Sequence, residues 1–263
     1  MVTDMDKKIE VMLCESCTVA QARELCEQYG HLIQIERKFD GIRAVFSSEG
    51  IWDRRGKEIS KKFPEFVLAQ LPEKLLFDAE IVANTGVFED MSGRVHMKDR
   101  LQISLLAQKS PCRAVFFDIV PQAPKFEMLS VRRAQLESVM LPLWAKLPEL
   151  YEEFDVAWSA VESGGWEGLV LKRTDSLYVG RRSSEWRKVK QWSEGRFEFT
   201  KLEETPRGVV LESKEGIRVN VNGVQAVEIR DELKKRGRVV GEVQYMKQKS
   251  DALRFPSWRG LVR

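Results

Sequence analysis

The stretch Lys38-Phe39-Asp40-Gly41-Ile42-Arg43 holds a lysine, a carboxylate, a glycine and an arginine within six residues. It follows the alternating run Leu32-Ile33-Gln34-Ile35, which predicts a strand that ends near the lysine. A lysine at a strand end can be partly desolvated, and a neighbouring cation such as Arg43 disfavours the ammonium form, so Lys38 is a candidate nucleophile. The same string fits a hairpin turn with solvated charges, because Asp-Gly is a strong turn signal. The rest of the chain decides between the two interpretations.

The composition describes a globular protein of one large or two medium domains. The chain has 263 residues, of which 43% are hydrophobic and 32% are charged. No apolar run approaches the roughly 18–20 residues of a membrane span. The first eight residues contain no apolar signal core, so we expect a cytoplasmic protein with no membrane partner. His31 and His96 are the two histidines, which argues against a multi-histidine metal site or a histidine-based triad.

Charge is distributed unevenly along the chain. Residues 181–263 carry 20 lysines and arginines against 12 aspartates and glutamates, a net charge of +8, whereas residues 1–180 carry a net charge of −5. A basic C-terminal third suggests a polyanionic partner such as nucleic acid. An ordinary solvated surface is the alternative.

The cysteines are Cys14, Cys17, Cys26 and Cys112. Cys14 and Cys17 have the spacing of half a zinc knuckle, but no second close pair follows. We therefore expect free thiols in a reducing compartment, and a role for Cys14 and Cys17 stays open.

Strands alternate with helices over residues 1–191, which predicts an α+β domain. A capping box of Thr18 and Gln21 opens a helix that Gly30 closes. The other predicted elements are the strands Ile42–Ser47, Leu76–Ala83, Cys112–Val120 and Gly168–Arg173, and the helices Lys61–Gln70, Asp99–Gln108 and Val131–Lys146.

Short strands dominate residues 192–263. The predicted strands are Phe197–Leu202, Gly208–Ser213, Ile217–Val221 and Val239–Met246, with one helix, Val224–Lys235. About 70 residues of this pattern are typical of a small β-barrel such as an OB-fold.

Five further segments carry candidate functional groups. Arg54 lies in a polar turn that is either solvated or close to a ribose or phosphate. Asp78 and Glu80 stand two apart on a predicted strand and hence on one face, where acids are costly unless they are paired or metal-bound. Phe117 and Asp118 end another apolar strand, so the ring belongs either to the core or to a base-stacking site.

The remaining segments are Glu167–Arg173 and Trp186–Lys190. The first segment contains, in order, an acid, a glycine, an apolar strand and two basic residues at the end of that strand. The second sets Lys188 and Lys190 on one strand face, where they repel each other unless an anion lies between them; phosphate is the obvious candidate.

Together these groups describe a nucleotidyl-transfer site. Lys38 is the nucleophile that forms a lysine–nucleotide phosphoramidate. Glu80 and Glu167 are ligands for a divalent metal that bridges phosphate oxygens. Lys188 and Lys190 neutralise an α-phosphate.

In order along the chain, these segments resemble the motif series of the covalent nucleotidyltransferases, the superfamily of polynucleotide ligases and capping enzymes. The tail from Leu253 to Arg263 is similar to the last motif of ATP-dependent DNA ligases. The resemblance implies a nucleotidyltransferase (adenylation) domain of antiparallel sheets flanked by helices over residues 1–191, followed by an OB-fold domain over 192–263. The minimal ligases of viruses, phages and some bacteria have this organisation.

The resemblance implies roles around the reacting phosphate. Lys38 would accept AMP from ATP and release pyrophosphate. Arg43 would contact the AMP phosphate or the nick phosphate, and Arg54 would hold the ribose or the 5′-phosphate. Asp40 would orient groups near the 3′-OH.

The resemblance also implies a set of residues that bind the nucleotide, and Lys172 belongs to this set. Glu36 would accept a hydrogen bond from the adenine amino group, and it would face the O6 acceptor of guanine, so ATP is favoured over GTP. Phe117 would stack on adenine, with Phe116 as the alternative. Arg254 and Arg263 would bind the β- and γ-phosphates.

The function so implied is that of an ATP-dependent DNA ligase that seals nicks between a 5′-phosphate and a 3′-OH. The cofactors would be ATP and Mg²⁺ or Mn²⁺, the partner nicked double-stranded DNA, and the protein a monomer. The alternatives are an RNA ligase, a GTP-using capping enzyme and a non-catalytic module that binds nicks or ends.

Overall fold

The computed structural model describes residues 9–122, 127–247 and 253–262. The chain divides into two compact units, Met1–Lys190 and Gln191–Arg263. No helix in the described ranges is long and apolar enough to cross a membrane.

The first unit contains ten strands and five α-helices within residues 9–122 and 127–190. The strands are β1 (Leu13–Ser16), β2 (Ile33–Lys38), β3 (Ile42–Phe46), β4 (Ile51–Asp53), β5 (Phe77–Ala83), β6 (Cys112–Ile119), β7 (Ala145–Lys146), β8 (Leu150–Tyr151), β9 (Gly168–Arg173) and β10 (Arg182–Lys190). The helices are α1 (Val19–Tyr29), α2 (Glu89–Ser92), α3 (Arg100–Lys109), α4 (Leu129–Ser138) and α5 (Phe154–Gly164).

These strands form two five-stranded sheets. One sheet has the order β1-β10-β9-β2-β8 and the other has the order β4-β3-β5-β6-β7. All neighbouring pairs are antiparallel except β1 with β10 and β6 with β7. Helices α1 and α5 pack on the first sheet, through a buried cluster that includes Ala22, Val161 and Leu171.

The second unit is a nearly closed barrel with one helix. Its sheet has the order β13-β12-β11-β14-β15, and the two edge strands approach each other. The elements are β11 (Ser193–Thr205), β12 (Gly208–Ser213), β13 (Arg218–Asn222), α6 (Val224–Arg236), β14 (Val239–Lys247) and β15 (Leu253–Leu261). Phe199 and Trp258 meet in the core with ring centroids 5.8 Å apart. The predicted α+β class with a small barrel is confirmed.

Local signals account for several element ends. The Thr18 side chain accepts from the backbone of Gln21, and the Gln21 side chain accepts from the backbone of Thr18, so the predicted capping box forms at α1. Gly30 then leaves the helix with a φ of 51°, which favours glycine.

One predicted helix is absent and another is shorter than predicted, and a proline explains each difference. Residues 61–70 form only two short 3-10 turns, Ser60–Lys62 and Leu68–Gln70, with Pro64 between them. The helix predicted over 131–146 ends at Ser138, before Pro142, and the chain then enters β7. Proline has no backbone N–H, and its ring clashes with a preceding helical turn.

A buried ion pair ties α4 to the second sheet. The Arg132 guanidinium donates two hydrogen bonds of 2.8 Å to the Asp118 carboxylate, and both side chains are fully buried. Arg132 also donates to the backbone oxygens of Glu127 and Ser176. The pair therefore links β6, α4 and the segment after β9.

Replacing Arg132 by methionine should lower the free energy of unfolding by about 3–5 kcal/mol, because Asp118 stays buried without a counter-charge. Urea unfolding followed by circular dichroism measures the loss. Adding Asp118→Leu to Arg132→Met should restore most of the lost free energy of unfolding. The exposed pair of Arg23 with Asp155 is the control, and Arg23→Met should leave the unfolding midpoint unchanged. No recovery in the double variant would contradict this account.

Candidate active site

A cavity of about 530 Å³ lies in the first unit, with walls from both sheets. Eight of the residues predicted from the sequence line it: Glu36, Lys38, Arg43, Arg54, Glu80, Phe117, Lys172 and Lys188. Segments separated by up to about 150 positions in the chain thus meet at one place.

Lys38 lies at the end of β2, opposite Gly168 of β9. Its ammonium pairs with one oxygen of Glu167, and the ammonium of Lys190 lies 2.8 Å from the other oxygen. Burial raises the pKa of Glu167, but the charges and hydrogen bonds of Lys38 and Lys190 outweigh burial and leave this pKa below its ordinary value. Glu167 is therefore an ionised bridge between the two lysines.

Two glycines allow the strands to approach closely here. A Cβ on Gly168, whose φ is +149°, would lie 1.9 Å from the Val189 carbonyl oxygen. A Cβ on Gly41 would lie 2.1 Å from the Ile81 carbonyl oxygen. The close approach of β5 therefore requires a glycine at position 41.

Arg43 is held by a carboxylate and a tyrosine. Its guanidinium donates to both oxygens of Asp78, at 2.9 and 2.6 Å, and the Tyr178 hydroxyl donates to Asp78 at 2.6 Å. Burial, together with the negative charge of Asp78, raises the pKa of Tyr178 well above its ordinary value, so the phenol stays protonated. The positive charge of Arg43 is therefore largely offset by Asp78.

Glu80 lies on β5 and lines the cavity. It makes no hydrogen bond or ion pair with any residue that the structure describes, unlike Asp78 on the same strand. Burial raises the pKa of Glu80 to about 8, against the charges of Lys38 and Arg43. A desolvated carboxylate that faces a cavity and lacks a partner suits a divalent cation. The described ranges contain no group of three or more metal-ligating side chains, so other ligands would have to complete such a site.

Lys172 organises the opposite wall. It is 1% exposed, and its ammonium lies 2.8 Å from Glu36 and donates to the Phe117 carbonyl oxygen at 3.1 Å. The ammonium also lies 4.7 Å from the Phe117 ring centroid and 4.6 Å from that of Trp186. Lys172 therefore fixes an acidic and an aromatic side chain that both reach the cavity.

The two neighbouring phenylalanines have different surroundings. Phe116 is fully buried and stacks on Phe77 with ring centroids 4.8 Å apart. Phe117 lines the cavity. Within this pair, Phe117 is the ring available to a ligand.

Lys188 and Cys14 share another part of the wall. Burial lowers the pKa of Lys188, as do the positive charges of Lys190, Arg182 and Lys38. Burial raises the pKa of Cys14, despite nearby cations. Cys14 is a free thiol, like Cys17, Cys26 and Cys112, as the composition predicts.

Arg54 and Asp40 lie in connections between strands of the first unit. Arg54 is exposed in the turn after β4, at the edge of the cavity. Asp40 lies in the turn between β2 and β3 and does not line the cavity. Arg254 belongs to β15 of the second unit, and Arg263 falls outside the described residues.

Several cavity residues were not predicted from the sequence, among them Trp186, Cys14 and His96. Trp186 stands two positions before Lys188 on β10, so strand alternation would have placed it on the same face. No local pattern indicated Cys14 or the exposed His96 as lining residues.

Glu80→Gln should change the pH dependence of stability in metal-free protein. The pKa of Glu80 rises from 4.5 to about 8 on folding, so the folded protein favours the protonated acid, and the wild-type free energy of unfolding should fall as pH rises through this window. Urea titrations in chelator at pH 5 to 8.5 should show a flatter dependence for Glu80→Gln. The exposed Glu73→Gln should follow wild type. Parallel curves for wild type and Glu80→Gln would contradict the assignment.

Comparison with known proteins identifies several relatives. The bifunctional non-homologous end joining protein LigD of Bacillus subtilis is 29% identical over 197 residues, covering 60% of this chain and 31% of LigD. A DNA ligase of Pyrobaculum islandicum is 28% identical over 195 residues, covering 66% of this chain and 33% of that ligase. The chain thus spans about a third of the length of each relative.

Among solved structures, a Lig E DNA ligase superposes with a TM-score of 0.70 at 16% identity, over 97% of this chain and 99% of that one. This shows a common fold. The sequence profile of the family described as ATP dependent DNA ligase domain matches residues 11–190, well over half of the chain. The predicted resemblance is confirmed: the chain belongs to the ATP-dependent DNA ligase domain family.

Proposed function

We propose that this protein is an ATP-dependent DNA ligase that seals nicks between a 5′-phosphate and a 3′-OH in duplex DNA. Residues 1–191 form its adenylation domain and residues 192–263 its OB-fold domain. The observation that carries the proposal is the position of Lys38, at the edge of a nucleotide-sized cavity and bridged through Glu167 to Lys190. Membership of the ATP-dependent DNA ligase domain family supports the choice of reaction.

The first step joins AMP to Lys38. The Lys38 nitrogen must lose a proton and leave Glu167 before it can attack the α-phosphorus. An N–P bond then forms, the bond from the α-phosphorus to the bridging oxygen breaks, and pyrophosphate leaves. Lys188 and Lys190 lie on the same strand and would stabilise the negative charge on the α-phosphate.

Base selection would depend on the wall that Lys172 organises. Phe117 offers a ring for adenine to stack on. Glu36 accepts hydrogen bonds from Gln34 and Lys172, and a carboxylate retains further acceptor sites for the adenine amino group. Guanine would place an oxygen against Glu36, which supports ATP over GTP.

A divalent cation, Mg²⁺ or Mn²⁺, is part of the proposal. Glu80 and Glu167 would hold it. Glu80 lacks a cation partner within the described ranges, and the negative charge of Glu167 acts on Glu80, so the two carboxylates lie close together. When bound, the cation would offset charge on the phosphate oxygens.

The later steps transfer AMP to the 5′-phosphate and then release it. We assign Arg43 and Arg54 to phosphate or ribose contacts, Asp40 to the region of the 3′-OH, and Arg254 and Arg263 to the β- and γ-phosphates of ATP. The second and third steps use DNA oxygens as nucleophiles, first a 5′-phosphate oxygen and then the 3′-OH. Nicked double-stranded DNA is the proposed partner, and a monomeric state and cytoplasmic location stay predictions.

Lys38→Ala should abolish transfer of label from α-labelled ATP to the protein, because no other residue supplies the attacking nitrogen. Labelling with Mg²⁺ present, read after denaturing electrophoresis, measures it. The exposed Lys109→Ala should label like wild type. Labelling from GTP, or label retained by Lys38→Ala, would refute the proposed reaction.

The wild-type protein should seal a nicked DNA duplex with a 5′-phosphate and leave a 5′-OH nick open, since AMP needs a phosphate acceptor. Denaturing gels of end-labelled strands give the yield. The same nick with RNA strands tests the RNA ligase alternative. Preferential sealing of RNA would favour that alternative, and binding to nicks without any labelling would favour a non-catalytic module.

A further inference from the structure

A second group of cations and aromatic rings begins at the edge of the cavity. It consists of Arg37, Phe39, Arg113, Lys146 and Trp166, named here the Arg37 surface. Arg37 and Phe39 flank Lys38 in the chain, and Trp166 directly precedes Glu167. Arg37 and Phe39 also line the cavity.

The Arg37 guanidinium is held between two rings. Its central carbon lies 5.0 Å from the Phe39 ring centroid and 4.5 Å from that of Trp166. The buried Nε has no hydrogen-bond partner. Burial lowers the pKa of Arg37, and the nearby Tyr151 opposes this shift. Aromatic contacts therefore fix the position of this cation without neutralising it.

Two further cations lie beside it. The Lys146 ammonium lies 5.4 Å from the Phe39 ring centroid. Burial lowers the pKa of Lys146, and the charges of Arg37 and Arg113 lower it further, whereas Glu149 opposes them. Arg113 and Lys146 are both exposed, on the paired strands β6 and β7.

None of these three cations forms an ion pair or hydrogen bond with a residue in the described part of the chain. Two arginines elsewhere in the first unit, by contrast, are paired: the exposed Arg23 lies 2.8 Å from Asp155, and the half-buried Arg173 lies 2.6 Å from Asp175. Three uncompensated cations repel one another, so an anion that bridges them would relieve this repulsion.

We propose that the Arg37 surface binds the phosphodiester backbone of DNA next to the nick. The inference rests on the proposed function and adds a contact surface for its DNA substrate. Arg113 and Lys146 are exposed and can reach backbone phosphates, and Arg37 precedes Lys38 in the chain and lines the same cavity. The rings of Phe39 and Trp166 give the surface apolar area for a deoxyribose or base, as nucleic-acid surfaces combine cations with aromatic groups.

The test compares two double variants of the full chain. Arg113→Ala/Lys146→Ala removes two uncompensated cations, and Arg23→Ala/Arg173→Ala removes two paired ones, so the net charge falls equally. Fluorescence anisotropy with a labelled nicked duplex, without ATP and at several salt concentrations, gives the affinity. The first variant should bind roughly tenfold more weakly, with a log–log salt slope smaller by about 2, because each phosphate contact contributes about 0.9.

Labelling by α-labelled ATP separates this inference from the proposed function. Arg113→Ala/Lys146→Ala should take up label at the wild-type rate, which also shows that the variant folds. An unchanged salt slope, an equal loss in both double variants, or a loss of ATP labelling that matches the loss of DNA binding would overturn the inference. Absence of labelling in wild type would count against the proposed function alone, since the binding comparison uses no ATP.

Discussion

The carboxylate of Glu167, shared between Lys38 and Lys190, is the interaction on which the site depends. It joins the end of β2 to the end of β10 through the residue that precedes β9. Without it, two lysines at the ends of the strands that flank β9 would repel each other across a half-buried space. This arrangement requires a glycine at position 168, because any side chain there would collide with β10.

Charge compensation separates the ion pairs that hold the cavity walls from two places where charge lacks a partner among the described residues. Arg43 with Asp78, and Lys172 with Glu36, are matched pairs that hold the cavity walls. Glu80 is a carboxylate without a cation partner in the described ranges, and the Arg37 surface is a set of cations without a carboxylate partner there. We place the metal at the first and the DNA backbone at the second, because uncompensated charge in a partly desolvated setting favours a ligand of opposite sign.

Local sequence patterns predicted helices and strands well where residues close together in the chain determine the secondary structure. The capping box at Thr18 and the apolar run from Gly168 to Arg173 gave a helix and a strand at the positions observed. The errors near Pro64 and Pro142 arose because apolar periodicity was given more weight than proline. The partners of Arg43 and Lys172 could not be predicted, since Asp78, Tyr178 and Phe117 reach them through tertiary packing. The Arg37 surface could not be predicted for the same reason, because Lys146 and Trp166 are far from Arg37 in the sequence.

Lys38, rather than a neighbouring lysine, should carry the nucleotide. Lys172 and Lys188 also line the cavity, and Lys190 shares Glu167 with Lys38, so the position of the covalent bond is decisive. Tandem mass spectrometry of peptides from protein treated with ATP and Mg²⁺ locates that bond. We expect AMP on Lys38 alone. AMP on Lys172, Lys188 or Lys190, or no covalent AMP on any peptide, would contradict it.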